Sequence, residues 1–247
     1  MSNLSHLKEV KALTFDVFGT VVDWRRSVAR ELKAACEPKG FVHDWEAFAD
    51  EWRAGYGPSM NRVRTGDLEW MNIDTLHRMI LDELLKEYGL DGFNEEEKIE
   101  LNKAWHRLDP WPDSVQGLKL LKQSFSISTL SNGGTNLLSN MANYSNLPWD
   151  NIFSAETFMH YKPDPETYLG AVKKLKLKKE EVMLVAAHNN DLLAAKQYGL
   201  KTAFVLRATE YGPNQDFDLE ADKDIDISSS NFIDLSDKLN LYNKNQQ

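Results

Sequence analysis

The chain has 247 residues, a formal net charge of −9, 42% hydrophobic and 27% charged side chains, enough to bury a large core in one domain or in a domain carrying an insert. Its acidic balance, with an isoelectric point near 5.2, argues against nucleic acid as a partner but not against a small anionic substrate, because distant surface charge is screened beyond about 10 Å. No apolar run approaches the roughly 20 residues of a membrane helix, the opening Met1–Lys8 has no signal-peptide core, and the lone Cys36 allows no internal disulfide, so no membrane association and a cytoplasmic protein are expected.

The first element is Ala12–Phe15, a short apolar run that ends in Asp16 before Gly19 and Thr20 break the pattern. It reads as a buried strand running into a tight loop. Ligands of open parallel sheets bind at that carboxyl edge, which places Asp16 for chemistry, with turn capping as the plainer alternative. From Val22 to Trp105 apolar residues recur at helical spacing, as in Trp24, Val28, Leu32 and Ala35 and again in Leu76, Met79, Ile80 and Leu84, and predict an all-helical insert. Gly55–Pro58 and Gly92–Glu95 mark breaks, with Asn94 as an N-cap for the helix that follows. Trp45, Trp52, Trp70 and Trp105 read as packing of this insert.

From Asp109 onward strands and helices alternate. Strands are predicted at Ser126–Leu130, Asn151–Ala155, Val182–Ala187, Thr202–Leu206 and Ile225–Ile227, with helices at Val115–Gln123, Thr135–Tyr144, Pro165–Leu175 and Asp191–Tyr198. Such alternation means right-handed crossovers and a parallel sheet covered on both faces. The expected architecture is α/β: a Rossmann-like parallel sheet core from residues 1–21 and 107–247, with a helical cap over 22–106. The polar tail Asn240–Gln247 is expected to fray.

A parallel sheet brings its strand ends together. One strand delivers Asp16, another Ser131-Asn132-Gly133, a third segment leads to Lys162-Pro163, and a fourth delivers Ala187-His188-Asn189-Asn190-Asp191. Taken singly, each has a plain reading: Ser131 and Asn132 as turn formers, Asp191 as an N-cap, Lys162 as the residue before a helix, His188 as structural, Arg53 as a surface arginine, Tyr168 as core. Together they make a crevice with two carboxylates, a lysine and a hydroxyl–amide pair.

In this order the motifs Asp16-x-Phe18-Gly19-Thr20, Ser131-Asn132-Gly133, Lys162-Pro163 and Asp191 resemble the haloacid dehalogenase superfamily, and the helical insert resembles its cap domain. The superfamily's phosphatases have a second Asp two positions after the first and a late acidic pair that helps hold magnesium; here those positions offer Phe18 and a single carboxylate, a poor magnesium site. The chain is therefore more similar to the L-2-haloacid dehalogenase branch, which works without metal or other cofactor. The resemblance implies that Asp16 attacks C2 of a short 2-haloalkanoate, expels halide and forms an ester that water then hydrolyses to a 2-hydroxy acid.

It further implies that Lys162 steadies Asp16, that Asp191 activates or orients water through Asn189 or His188, and that Arg53 receives the halide with Asn132. Ser131 and the loop amides of Val17 and Phe18 would hold the substrate carboxylate, Thr20 would support Asp16, and Tyr168 would stand near the site. Two departures mark this chain: Ala186-Ala187-His188 replaces a Ser-Ser-Asn run, and Asn190 replaces an aromatic before the late Asp. An amide at Asn190 could donate to a small hard anion, so release of fluoride, from fluoroacetate for example, is expected alongside chloride and bromide. A phosphatase of the same fold and a non-catalytic binding protein are the alternatives. The resemblance also brings a homodimer as an expectation, which no residue pattern in the chain carries.

Overall fold

Strand β1 (Ala12–Phe15) is buried along its whole length because it lies in the middle of a sheet covered on both faces. The computed structural model describes residues 7–244. β4 (Ser126–Thr129) and β5 (Val182–Ala186) flank β1, followed outward by β6 (Lys201–Val205) and β7 (Ile227–Ser229), in the order β4-β1-β5-β6-β7 with every pair parallel. A strand buried on both sides must be apolar throughout, which is why β5 reads Val-Met-Leu-Val-Ala without alternation. Helices α6 (Ser114–Leu121), α7 (Thr135–Ser145), α9 (Pro165–Leu175), α10 (Asn189–Gln197) and α11 (Phe232–Lys244) lie between and after these strands. The α/β fold expected from the sequence is thus the fold observed.

The helical insert leaves and rejoins the sheet through two short antiparallel strands, β2 (Val22–Asp23) and β3 (Asp109–Pro110). Between them run α1 (Trp24–Cys36), α2 (Trp45–Ala54), α3 (Tyr56–Arg64), α4 (Ile73–Glu87) and α5 (Glu95–Asn102). Local caps set most of their starts: Asp23, Asp44 and Asn72 each accept from first-turn amides, and Asn94 with Glu97 forms a reciprocal capping box. Each such cap contributes about 1 kcal/mol. Trp45, Trp52 and Trp105 are buried in the insert as expected, as is the Cys36 thiol. Trp70 instead meets the core, its ring 5.0 Å from that of Tyr161. An Arg64–Asp164 ion pair of 2.7 Å and a Tyr161 hydroxyl donating to the Met71 carbonyl at 2.8 Å further join insert and core.

Three expectations change. Asn151–Ala155 is not a regular strand but lies along β4 through isolated bridges, because the Thr129 hydroxyl exchanges hydrogen bonds of 2.9 Å with the backbone of Phe153 in place of a ladder. Ser154 then caps the short helix α8 (Ala155–Phe158). The last strand begins at Ile227, since the Asp226 carboxylate accepts the Thr202 amide at 2.9 Å and holds that neighbour with its side chain. Asn240–Lys244 is helical, forming the end of α11; residues 245–247, like residues 1–6 of the opening segment, lie outside the described residues.

Candidate active site

Asp16 stands one residue beyond β1, buried to 7% exposure. Its Oδ1 accepts from the Lys162 ammonium at 2.9 Å and its Oδ2 from the Thr20 hydroxyl at 2.8 Å. Thr20 Oγ1 in turn accepts the Ala187 amide at 2.9 Å, which ties the turn after β1 to the end of β5. Lys162 also donates to Asp191, whose other oxygen accepts the Tyr168 hydroxyl at 2.7 Å. One ammonium thus separates two carboxylates that would otherwise repel.

His188 occupies the other side of Asp16, with Nδ1 at 3.1 Å from Asp16 Oδ2 and Nε2 at 2.9 Å from Glu210 Oε2. Glu210 is anchored from the insert by the Trp24 indole N–H at 3.0 Å. Gly19 makes this line fit: its φ is +83°, and a Cβ there would stand 1.9 Å from Glu210 Oε1. Only glycine suits both the backbone and the approach.

These contacts set the charges. Burial alone would raise the Asp16 carboxyl, but Lys162 and His188 outweigh it and hold Asp16 far below the usual carboxylate range. Burial would likewise neutralise His188, yet Glu210 and Asp16 push its proton affinity well above the ordinary imidazole value. Lys162, desolvated but facing Asp16 and Asp191, is also shifted upward. The resting site is a chain of alternating charges: carboxylate, ammonium or imidazolium, carboxylate.

Across a cavity of about 790 Å³ stands Arg53 from α2. Its guanidinium lies 4.2 Å from the ring centre of Tyr56 and 5.7 Å from that of Trp24, and its buried Nε has no hydrogen-bond partner among the described residues. A buried cation held by aromatic faces is a ready receptor for an anion.

Of the residues picked out from sequence, Asp16, Phe18, Arg53, Asn132, Lys162, Tyr168, His188, Asn190 and Asp191 all line this cavity. Asn132 accepts the Lys162 amide at 2.7 Å through Oδ1, and Asn190 accepts the Asp191 amide at 2.8 Å, so each is oriented by its oxygen. Thr20 stands behind Asp16, as expected of a supporting group. Val17 turns its side chain into the core, and Ser131, 2% exposed, accepts the Gly133 amide at 3.1 Å beneath the loop. Asn189 stands outside the cavity lining: its amide donates to Asp218 at 2.8 Å and accepts from the Asp222 backbone at 2.8 Å, which ties it to the loop after β6. Asp191 is likewise engaged at both oxygens, whereas His188 touches the nucleophile directly.

Sequence reading missed two groups. Glu210 lies in the turn after β6, where a single Glu carries no pattern; the φ and crowding at Gly19 are its only trace. Tyr56 sits in what reads as a helix break, and that break is a single residue, Gly55, between α2 and α3.

The family model for haloacid dehalogenase-like hydrolases matches residues 10–199. The chain is 28% identical over 201 residues to (S)-2-haloacid dehalogenase 1 of Pseudomonas sp. (strain CBS-3), covering 80% of this chain and 85% of that one. Among solved structures it is similar to the L-2-haloacid dehalogenase PA0810, with 45% identity, a TM-score of 0.91 and coverage of 94% and 99% of the two chains. It is also similar to the defluorinating L-2-haloacid dehalogenase Rha0230, with 46% identity, a TM-score of 0.91 and coverage of 94% and 95%.

Proposed function

The chain belongs to the haloacid dehalogenase-like hydrolases, and we propose that it is the dehalogenating kind: it hydrolyses short 2-haloalkanoic acids, fluoroacetate among them, to 2-hydroxy acids through an ester on Asp16, with no metal ion. The observation that carries this reading is the pairing of a buried, ionised Asp16 with Arg53 across the cavity. A nucleophile on one wall and an anion receptor on the other suit a substitution that expels an anion. The aromatic Phe18, two residues past Asp16, has no proton to give a leaving alcohol, which disfavours phosphate ester chemistry.

In the first step an Asp16 oxygen attacks C2, a carbon–oxygen bond forms, and the carbon–halogen bond breaks with its electron pair leaving as halide. Charge grows on the halogen as it departs, so the fixed guanidinium of Arg53 and the Asn132 amide stabilise the transition state more than the bound acid. The substrate carboxylate faces the turn after Asp16, where Phe18 lines the cavity.

Esterification removes one of the two anions that hold the His188 proton. Its proton affinity falls, and neutral imidazole oriented by Glu210 becomes a base next to the ester carbonyl. Water attacks the Asp16 carboxyl carbon and gives a proton to His188 Nδ1. Collapse of the adduct breaks the bond to the substrate oxygen, which takes that proton, and the remaining carboxyl proton passes to His188, replacing the one it lost to solvent on esterification and restoring the resting ion pair. Lys162 neutralises the oxygen that bears charge in the adduct, while Asp191 and Tyr168 keep Lys162 in place. This reading moves the base from Asp191 to His188. A cytoplasmic setting is part of the same proposal, supported by the single buried Cys36 thiol.

Halide release from chloroacetate, measured with chelator and beside an Asp16→Asn control, is the first test. Release that resists chelator and vanishes in the control is expected. A single turnover in heavy-oxygen water should then put label into the peptide containing Asp16; label found only in the hydroxy acid would sink the ester.

A further inference from the structure

The insert wall of the cavity holds a column of flat groups. The Arg53 guanidinium covers the Tyr56 ring at 4.2 Å, Tyr56 stacks on His77 with centroids 5.7 Å apart and planes at 29°, and His77 stacks on Trp105 at 4.4 Å and 19°. His77 is fully buried, and neither of its ring nitrogens has a partner among the described residues. Burial, with Arg53 nearby, keeps it neutral, so Arg53 remains the cation of the column. Phe18 from the core meets the Tyr56 ring edge-on at 6.4 Å and 62°.

This packing holds the phenol ring in a cavity-lining position, and the hydroxyl is the one polar atom of that side chain. Burial pushes the Tyr56 phenol up to about 12, so its proton stays on across the working range. Arg53, Asn132 and Tyr56, each able to donate a hydrogen bond, line the same cavity as Asp16.

Resting on the dehalogenase reading above, we infer that Tyr56 determines leaving-group specificity: its hydroxyl donates a hydrogen bond to the departing halogen, and this donor counts most for fluoride. Fluoride concentrates its charge in a small volume and gains most from short, prearranged donors, whereas chloride and bromide spread charge and depend more on the broad field of Arg53. The carbon–fluorine bond breaks with its electron pair going to fluorine, and the phenolic proton stays on the Tyr56 oxygen throughout. Because the stacked ring cannot swing away, the hydrogen bond needs no reorganisation when the bond breaks.

The test is Tyr56→Phe, which keeps the ring, with fluoride and chloride release measured from fluoroacetate and chloroacetate. The expected result is a fall of about 10- to 100-fold in kcat/KM on fluoroacetate, with chloroacetate changed by less than about threefold. Equal losses on both substrates, or none on fluoroacetate, would overturn the inference. Tyr56→Met, which removes ring and hydroxyl together, must show the same excess loss on fluoroacetate, and an equal loss again counts against it. If the unaltered enzyme releases halide from neither acid, the dehalogenase reading itself has failed, an outcome separate from either result for Tyr56.

Discussion

The two walls of the cavity treat charge in opposite ways. Around the nucleophile on the core wall the ionic groups are paired: Asp16 has Lys162 and His188, Asp191 has Lys162, and Glu210 has His188. On the insert wall Arg53 lies between aromatic rings with an unpartnered Nε. Folding has therefore already met the desolvation cost of the core charges through mutual pairing, and the nucleophile is ready before substrate arrives. The insert keeps an unbalanced cation whose best partner is an anion that the reaction creates. A pocket that is half neutralised and half open binds a departing halide better than the intact carbon–halogen bond, the differential that accelerates a reaction.

The sharpest way to break this comparison is to remove the nucleophile, and Asp16→Asn should lower halide release by roughly 10⁴-fold or more. Residual turnover close to the parent's would mean that the core wall is not where bonds form. Next come two substitutions that delete one cation from each wall. Lys162→Met leaves Asp16 and Asp191 facing each other in a buried site and should cost about 3–5 kcal/mol of stability by denaturant unfolding, besides most of the activity. Arg53→Met should lose about 10²- to 10³-fold in kcat/KM on chloroacetate while leaving stability unchanged or raised, because an unpaired buried cation has gone. A large stability loss in Arg53→Met would erase the distinction between the walls. Smaller in rate is Glu210→Gln, which leaves His188 less well oriented as a base. Its hydrolytic step should slow by about 10²-fold, so rapid mixing should reveal a burst of halide followed by a slow steady state. Absence of a burst with unchanged kcat would remove His188 and Glu210 from the hydrolysis.

Much of the core wall was legible in the sequence because strand ends in a parallel sheet are fixed by topology. Asp16, Asn132 and Asp191 each follow a predictable break in an apolar run, whereas Lys162 reaches them from the segment after α8, where no regular strand precedes it. What spacing cannot report is where a side chain turns after its backbone is placed. Ser131 and Asn189 occupy the right loops, but the Ser131 hydroxyl accepts the Gly133 amide while keeping its own proton, and the Asn189 side chain is bound to the loop at Asp218–Asp222. The insert wall was less legible. Arg53 and Tyr56 lie on helices whose periodicity shows a buried face but not which of its members look into a cavity. Glu210 was illegible for a different reason: a lone carboxylate in a turn reads as solvated, and its 1% exposure follows only from Trp24 and His188 arriving from elsewhere.

The smallest expected effect bears on the charge state of His188, through stability and pH. Asp16 is held below its ordinary range, so its contribution to folding is present above the unfolded carboxylate value near 3.9 and is lost as pH falls. His188 is held above its ordinary range, so its contribution is complete below the unfolded imidazole value of about 6.5 and is lost as pH rises through the higher folded value. His188→Gln removes the second contribution and spares the nucleophile. Its melting temperature should therefore lie furthest below the parent's between about pH 5 and 6.5, and the gap should narrow toward alkaline pH. A gap that is flat, or that widens toward alkaline pH, would mean that His188 is neutral in the folded protein. Esterification of Asp16 would then release no proton from it, and the core wall would not be the balanced chain of charges on which its contrast with the insert rests.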